Sequence, residues 1–285
     1  RFNNSAPFLN IAGGITGSGD FVINNGGMLA LTTKPINLGT NTFWSDQGGT
    51  VVLGVASNVW GDTMIASGTL RTDVANALPT NTVLRIGGIS WAPTGRINLN
   101  GCDQTVAGLR RNETTPGTIV VTSAVPATLT VNLNTAMAYD GQLDGALGLV
   151  KAGTGTLTLS NALSCTRGSI AVSNGTLVVT AASVLGNSTN VTVAAPVTGT
   201  STLTLQTSAG IANAAALRIA NGGSAKVSLA AGVNETVGWL YFGDKMMRAG
   251  TYSAASAQVI DTEHFAGTGV LTVLHDKSGT LIKLN

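Results

Sequence analysis

The chain has 285 residues, of which 10% are charged and 5% are aromatic, and its formal net charge is +2 at pH 7. This low charge, together with 44% hydrophobic residues, excludes intrinsic disorder, and the shortage of aromatic rings argues against a conventional large globular core. Basic residues do not cluster with aromatic ones, and no apolar run reaches the roughly 18 residues of a membrane helix. Neither a nucleic-acid partner nor a membrane span is expected.

From residue 21 onward, aliphatic residues alternate with Thr, Asn or Ser in short runs that Gly, Asn and Pro separate. This period of two predicts strands with one buried face. Among the predicted strands are residues 21–23, 50–53, 96–99, 118–121, 128–131, 201–205 and 270–273. The Ala-rich residues 211–219 are predicted to form a loop.

Two similar strand-like segments, at residues 155–159 and 175–179, follow each other with Gly at each turn. A longer duplication relates residues 84–109 to residues 217–240, with order, residue class and Gly placement preserved. Repeats of this kind without intervening helices predict a parallel β-helix, or β-solenoid, of roughly 20–25 residues per coil. About a dozen coils would make a rod ~50–60 Å long. A β-sandwich is the rival fold, but its hairpin signal, Asn-Gly, occurs here at repeat-fixed positions.

The predicted fold is therefore all-β, with two parts. Residues 1–236 are predicted to form the β-solenoid as two related modules of several coils each. Residues 237–285 are predicted to be a β-rich C-terminal segment that continues or closes the solenoid and contacts the next subunit.

The two cysteines, Cys102 and Cys165, stand 63 residues apart. A disulfide between them would close a loop and stabilise the fold by roughly 3–4.5 kcal/mol. The alternative is two separate buried thiols, which pack as small hydrophobic side chains. The sequence leaves both interpretations open. Neither His264 nor His275 is spaced for a metal site with either cysteine, so no metal and no cofactor are expected.

Residues that could carry catalysis are scattered, and the sequence has no nucleophile, zinc or phosphate-loop motif, so no enzyme is expected. Asp140 and Asp144 could act as acid and base on a polysaccharide, but their Gly-rich surroundings are typical of a turn. Residues 261–264 combine Asp, Glu and His, and residues 17–20 faintly resemble a calcium-binding glycine repeat; a polar turn is the simpler interpretation of both. The aromatic residues of 239–242 are expected to pack in the core or between subunits.

Residues 149–160 read Leu-x-Lys-x-Gly-x-Gly-Thr-Leu-Thr-Leu-Ser, and residues 168–177 continue with Gly-x-Ile-x-Val-x-Asn-Gly-Thr-Leu. This run resembles the autotransporter-associated β-strand repeat, also called the passenger-associated transport repeat. Residues 97–109 resemble the segment that often follows the repeat, and residues 265–273 resemble the close of many large exported proteins that carry it. The resemblance implies a β-helical bacterial protein at the cell surface or outside the cell, and it implies no particular activity.

Both ends of the predicted rod are short β-prone segments with one apolar face, and neither has an amphipathic capping helix. The candidate contact residues are Phe8, Leu9 and Ile11 at one end, and Leu281, Ile282 and Leu284 at the other. A contact between unlike ends that does not close on itself generates a filament. We therefore expect a secreted, non-enzymatic structural protein that binds itself head-to-tail in an extracellular fibre or sheath. The alternative is a monomeric, adhesin-like passenger that binds a host surface or glycan.

Overall fold

The computed structural model describes residues 2–4, 7–46, 48–87, 94–112, 118–185 and 187–276. Over these residues the protein is all-β without a helix, and its strands stack in parallel into a β-solenoid of about 10 turns. The predicted fold is confirmed. The number of turns is below the predicted dozen because neighbouring strands of the longest sheet stand up to 27 residues apart and because the C-terminal residues close the rod.

Most strands are short, but two strands in the middle of the chain have 13 and 11 residues. The strands of the N-terminal half are β1 (Phe2–Asn4), β2 (Phe8–Asn10), β3 (Ile15–Thr16), β4 (Phe21–Asn25), β5 (Met28–Leu31), β6 (Ile36–Asn37), β7 (Phe43–Asp46), β8 (Thr50–Leu53), β9 (Thr63–Ile65), β10 (Gly68–Thr72), β11 (Val83–Ile86), β12 (Gly95–Asn98), β13 (Gln104–Val106), β14 (Gly108–Arg111), β15 (Val120–Asn132) and β16 (Ala136–Tyr139). Those of the C-terminal half are β17 (Gln142–Ala152), β18 (Thr156–Leu159), β19 (Cys165–Thr166), β20 (Ile170–Val172), β21 (Gly175–Val179), β22 (Asn190–Val193), β23 (Ser201–Leu205), β24 (Ala216–Ile219), β25 (Ala225–Leu229), β26 (Asn234–Val237), β27 (Trp239–Phe242), β28 (Lys245–Met246), β29 (Gly250–Ser253), β30 (Val259–Ile260), β31 (Phe265–Gly267) and β32 (Val270–Val273).

The longest sheet, called the long sheet here, runs the length of the rod. Its main column is β2-β5-β8-β10-β12-β15-β17-β20-β22-β24-β27, and each neighbouring pair in it is parallel. Leu9, Leu29, Val51 and Leu70 are aligned in register and stand 19 to 22 residues apart in sequence. At about 4.8 Å per strand, this column is ~48 Å long.

Two shorter sheets form the second wall of the rod. The N-terminal sheet has the order β1-β4-β7-β9-β11-β14, and the C-terminal sheet has the order β16-β18-β21-β23-β25-β31. Because β14 packs against β16, the C-terminal sheet takes over where the N-terminal sheet ends. A two-stranded sheet, β3-β6, lies beside the first coils.

The core is narrow and aliphatic because side chains alternate between its interior and the surface. In β18, Leu157 and Leu159 are buried, whereas Thr156 and Thr158 are partly exposed. Successive residues of a strand point to opposite faces, and β-branched Thr suits the outer, half-buried face. The buried apolar residues form one continuous cluster, from Ile23 to Val273.

The two long strands bend at a bulge, where the pairing of β15 with β17 shifts between Ser123 and Ala127. Each long strand therefore pairs with two short ones: β15 with β12 and β13, and β17 with β19 and β20. The two strands predicted at residues 118–121 and 128–131 fall in the two halves of β15. A bulge re-aims a strand without breaking its ladder, which explains the merger.

The C-terminal end of the rod is closed by strands that run against the stack. Strand β28 pairs antiparallel with β27, and β29 pairs antiparallel with β32. A four-stranded terminal sheet, β26-β32-β29-β30, covers this end, while β31 adds a last parallel strand to the C-terminal sheet. Residues 237–276 thus extend the solenoid and also interrupt its parallel stacking.

Candidate assembly interface

The first layer of the rod consists of β1, β2 and β3, and each of these strands pairs on one side. Their partners are β4, β5 and β6 of the next coil. Among the described residues, nothing pairs with the outer edges of these three strands. Such edges present unpaired N–H and C=O groups, which are a template for a further strand.

The side chains of the first layer leave apolar surface at this end. Phe8 is 60% exposed, while Leu9 and Ile11 are partly buried against the core. A row of rings also reaches this end, because Phe2 packs on Phe21 with ring centroids 6.4 Å apart. The row continues inward, with ring centroids 6.0 Å apart between Phe21 and Phe43 and 4.7 Å apart between Phe43 and Trp60. Phe8, Leu9 and Ile11, selected from the sequence, thus lie together on the open layer.

The other three candidate contact residues, Leu281, Ile282 and Leu284, lie outside the described residues. The described part of that end is the strand-closed end, with Val259 and Ile260 exposed on β30. The two ends of the rod are therefore unlike each other.

The two cysteines are both free and partly exposed. Asn98, Thr122, Asp144 and Cys165 are aligned on successive strands, so Cys165 lies about 14 Å from Asn98 along the stack. Cys102 follows Asn98 by four residues in the same coil. A disulfide needs Cα atoms within about 7 Å. The structure does not bring the two thiols together, and the bridge considered from the sequence is not formed.

Three acidic side chains that the sequence singled out, Asp20, Asp140 and Asp144, make contacts within a turn or between coils. Both carboxylate oxygens of Asp140 lie 2.8 Å from Nε of Arg111, which shares its one N–H between them, and Asp144 accepts a hydrogen bond from the N–H of Gly145. Asp20, in the glycine-rich segment compared with a calcium site, accepts the N–H of Thr42 from the next coil at 2.8 Å. These carboxylates are occupied by turn and cross-coil contacts, as the turn interpretation of their sequences predicts.

The acidic and imidazole groups of residues 261–264 join the terminal structure to the last coil. Asp261 lies 3.0 Å from Nδ1 of His264, whose Nε2 lies 3.3 Å from Oδ1 of Asn221. The imidazole stacks on Phe242 with ring centroids 3.8 Å apart. Burial tends to raise the pKa of Asp261, but hydrogen bonds from the N–H groups of Glu263 and His264 and from the imidazole lower it overall. Within the described residues, no group of three His, Cys, Asp or Glu side chains is placed to hold a metal.

The aromatic residues of β27 divide between the two faces of the sheet. Leu240 and Phe242 are buried, whereas Trp239 and Tyr241 point outward and are partly exposed. The guanidinium of Arg218, from the previous coil, lies 3.8 Å from the centre of the Tyr241 ring. Phe242 packs in the core as predicted, and for the partly exposed Trp239 packing between subunits stays a prediction.

The lysine of the Lys-x-Gly-x-Gly sequence at residues 151–155 is buried. Lys151 points into the rod, and its Nζ donates to the carbonyl oxygens of Ala152, Gly153 and Asn174 at 2.7, 2.8 and 3.1 Å. Burial lowers the pKa of Lys151 from 10.5 to about 8. The ammonium group thus joins the turn of its own coil to the turn of the next. The sequence placed this lysine in the repeat without revealing that role.

Two further buried polar side chains, Gln104 and Glu235, each accept backbone N–H groups. Gln104 accepts the N–H of Leu78 at 3.0 Å, and Glu235 accepts the N–H groups of Gly210 and Ile211 at 2.9 and 3.3 Å. Burial raises the pKa of Glu235, although these backbone hydrogen bonds oppose the shift. Both side chains fix a loop of the previous coil. Gln104 and Glu235 are aligned in the duplication read from the sequence, and the division into two modules stays a prediction.

No family model matches the chain, and no curated protein and no solved structure matches it either. The described residues contain no helix of the length and apolarity that crossing a membrane requires. A function can therefore be inferred only from the chemistry of the chain's own surfaces.

Proposed function

We propose that the protein is a secreted, non-enzymatic structural subunit that assembles head-to-tail into an extracellular fibre or sheath. The observation that carries this proposal is the open first layer, where Phe8, Leu9 and Ile11 lie beside unpaired strand edges. A strand that pairs with these edges would gain main-chain hydrogen bonds, and it would also cover the apolar surface that these three residues form.

The opposite end supplies the second half of the contact. Leu281, Ile282 and Leu284 are proposed to take part there, together with the exposed strand β30. Because the two ends differ, the contact is heterologous, and such a contact continues as a filament unless a rotation closes it into a ring. The low charge of the chain supports close packing of subunits, since like-charge repulsion between them is small.

Export to the bacterial surface remains part of the proposal, and it rests on the resemblance to the autotransporter-associated repeat. The structural commitments of Asp20, Asp140 and Asp144 support a non-enzymatic role, because these carboxylates already serve backbone and arginine partners.

Negative-stain electron microscopy with sedimentation at several dilutions tests assembly. Fibres with an axial repeat near the length of one rod are expected. Leu9→Asp, which places a charge at the open layer, is expected to leave folded monomers, whereas Val197→Asp at a fully exposed loop position is expected to assemble normally. A wild-type protein that stays monomeric at every concentration would overturn the proposal.

The second candidate is a monomeric adhesin-like passenger that binds a host surface or glycan. Two fully or largely exposed apolar side chains on connecting loops favour it, Leu163 and Val197. Binding residues are disproportionately found on loops that a rigid scaffold positions. This candidate predicts a monomeric rod whose surface binding is lost in Leu163→Ser and Val197→Ser.

A further inference from the structure

Two connecting segments meet beside the last coils of the rod. Asn221 and Gly222 lie between β24 and β25, and residues 261–264 lie between β30 and β31. The segments are held side by side because β25 pairs with β31 and because the N–H of Val227 donates to the carbonyl oxygen of His264 at 2.9 Å. An Asn–Gly sequence in one segment therefore faces an acid and an imidazole in the other.

An Asn side chain that precedes Gly can react with its own main chain. The nitrogen of the Gly attacks Cγ of the Asn, and the approach is open because Gly has no Cβ. At Gly222 the φ angle is +97°, and nothing beyond the neighbouring residues lies within 4 Å of the place where a Cβ would stand. Asn221 and Gly222 are both exposed, so water reaches the reacting atoms.

The nitrogen that would attack is hydrogen-bonded to a carboxylate. The N–H of Gly222 donates to Oε1 of Glu263 at 2.9 Å. This distance lies within the reach of a general base, about 2.6–3.2 Å. Glu263 is thus placed to accept the proton that the nitrogen must lose when it forms a new bond.

The carbonyl group that would be attacked faces the imidazole. Nε2 of His264 lies 3.3 Å from Oδ1 of Asn221, and Nδ1 lies 3.0 Å from Oδ2 of Asp261. Because both neighbours are oxygen atoms, the ring donates to both when it carries a proton on each nitrogen. In that form the Nε2–H group stabilises the negative charge that develops on Oδ1 during the attack.

The two catalytic groups are held in place by the segment itself. Oδ1 of Asp261 accepts the N–H groups of both Glu263 and His264 at 2.9 Å. The imidazole stacks on Phe242 with only 3° between the ring planes. A base and a proton donor are therefore fixed on opposite sides of one Asn–Gly sequence, and such fixed geometry lowers the barrier of a reaction.

We propose that Asn221 deamidates in a reaction that the fold itself catalyses. The nitrogen of Gly222 bonds to Cγ of Asn221 and gives its proton to Glu263. The Cγ–Nδ2 bond then breaks, and the leaving nitrogen takes a proton from His264 and departs as ammonia. The product is a cyclic imide, which water opens at either carbonyl group to leave aspartate or isoaspartate at position 221. Glu263 and His264 regain their protons by exchange with water, so the reaction needs no oxidant, reductant or cofactor.

Two other Asn–Gly sequences in the chain, residues 100–101 and 174–175, are internal controls. In the first, the N–H of the Gly donates to the hydroxyl oxygen of Ser123 at 3.1 Å. In the second, it donates to the carbonyl oxygen of Thr200 at 2.9 Å. Neither acceptor takes up a proton as a carboxylate does, so both sites are expected to react at the unassisted rate.

Incubation of the folded protein in heavy-oxygen water, followed by peptide mass spectrometry, tests the proposal. Trypsin releases Asn221 in a short peptide, because Arg218 and Lys226 stand on either side of it. Asn221 is expected to exchange its amide for a labelled carboxyl group at least tenfold faster than the two control sites. In guanidinium chloride, which removes the fold, the three sites are expected to react at similar rates.

Two variants separate catalysis from the intrinsic reactivity of Asn–Gly. Glu263→Gln still accepts the N–H of Gly222 but takes up no proton, and it is expected to lower the rate at Asn221 at least tenfold. The side chain of Glu263 is 53% exposed, so an unchanged melting temperature is expected. His264→Phe keeps a ring on Phe242 but removes the proton donor, and the same slowing is expected, with the control sites unchanged in both variants.

Equal rates at the three sites of the folded protein would overturn the proposal. So would an undiminished rate at Asn221 in Glu263→Gln, whatever the stability of His264→Phe. Neither result bears on assembly, since the reacting groups all lie within one chain.

Discussion

Gln104 and Glu235 are aligned with each other in the internal duplication of the sequence, and each holds a loop of the preceding coil through its side chain. Gln104 accepts a hydrogen bond from the N–H of Leu78, and Glu235 accepts one from the N–H of Ile211. Both residues are completely or almost completely buried. One module thus uses a neutral amide where the other uses a carboxyl group, and the difference has consequences for stability.

The first prediction concerns Glu235→Gln. Burial raises the pKa of Glu235, so the folded state keeps its proton to a higher pH than the unfolded state does. Its contribution to stability is complete below the unfolded pKa and is lost as pH rises through the folded pKa. Glu235→Gln is therefore expected to lack this loss, although one of the two backbone N–H groups that Oε1 and Oε2 of Glu235 accept then has no acceptor at any pH. Urea unfolding midpoints from pH 4 to pH 8 measure both effects.

The reverse substitution, Gln104→Glu, is the control. Nε2 of Gln104 donates to the carbonyl oxygens of Val74 and Cys102 at 2.8 and 3.1 Å, and a carboxylate cannot donate. Gln104→Glu is expected to destabilise the fold by about 1–3 kcal/mol at pH 7, since buried acceptors lose their donor. An unchanged midpoint in both variants would contradict the proposed equivalence.

The second prediction concerns the buried ammonium of Lys151. Its pKa is lowered to about 8 in the folded state, whereas the ordinary value is 10.5. The unfolded state therefore binds more protons between these values, and the free energy of unfolding is expected to rise as pH increases from about 8 to 10.5. Lys151→Met is expected to lose this rise. Chemical unfolding at pH 7 to 10.5 provides the measurement.

At pH 7, Lys151→Met is also expected to cost about 1–3 kcal/mol, because three carbonyl groups lose their donor. Lys226→Met is the matched control. Its Nζ donates to one carbonyl, that of Thr262, at an exposed site, so a change within about 0.5 kcal/mol is expected. Equal effects of the two substitutions would show that the buried position of Lys151 carries no special role.

The third prediction concerns the close approach of coils at Gly155. A Cβ atom at this position would overlap the carbonyl oxygen of Thr135, which belongs to the backbone of the preceding coil. Gly155→Ala is expected to lower stability by about 1–3 kcal/mol or more, because strands of both coils must move. Gly19→Ala, where nothing lies within 4 Å of the added atom, is expected to be nearly neutral. Thermal unfolding of the two variants side by side gives the comparison.

The fourth prediction concerns the thiols. Cys102 and Cys165 are partly exposed and about three coils apart, so a thiol reagent is expected to titrate two groups per folded chain. Reductant is expected to leave the melting temperature unchanged, and Cys102→Ser with Cys165→Ser is expected to melt within a few degrees of the wild type. Loss of both titratable thiols on purification in air would contradict this prediction.

The repeating Thr-Leu segments allowed the fold to be predicted from sequence, because burial of one face of a strand makes apolar residues recur at every second position. Residues 156–159 follow this rule directly, with both leucines buried. The loop predicted at residues 211–219 is only partly correct, since Ala216–Ile219 is a strand of the long sheet. Ala has little strand preference of its own, and here the neighbouring coils decide the conformation.

The polar centres were harder to predict. A lysine in a strand usually lies at the surface, so nothing local indicates that Lys151 points inward. Its role depends on Asn174, in the next coil, and a contact over 23 residues leaves no trace in local periodicity. The sequence predicts a C-terminal segment that continues or closes the solenoid, but it does not indicate the antiparallel pairing there, because the short strand Lys245–Met246 has neither alternation nor a length that distinguishes it from a turn.

The difference between the two ends gives the rod a mechanical polarity. In a stack of this kind each coil is held by its neighbours, and the first coil has a neighbour on one side among the described residues. Amide protons of β1, β2 and β3 should therefore exchange fastest, with protection growing toward the middle coils. Thermal fraying, proteolysis and stretching would all begin at this end, so an isolated molecule would unravel in one direction. A second molecule bound to the first coil would oppose this unfolding.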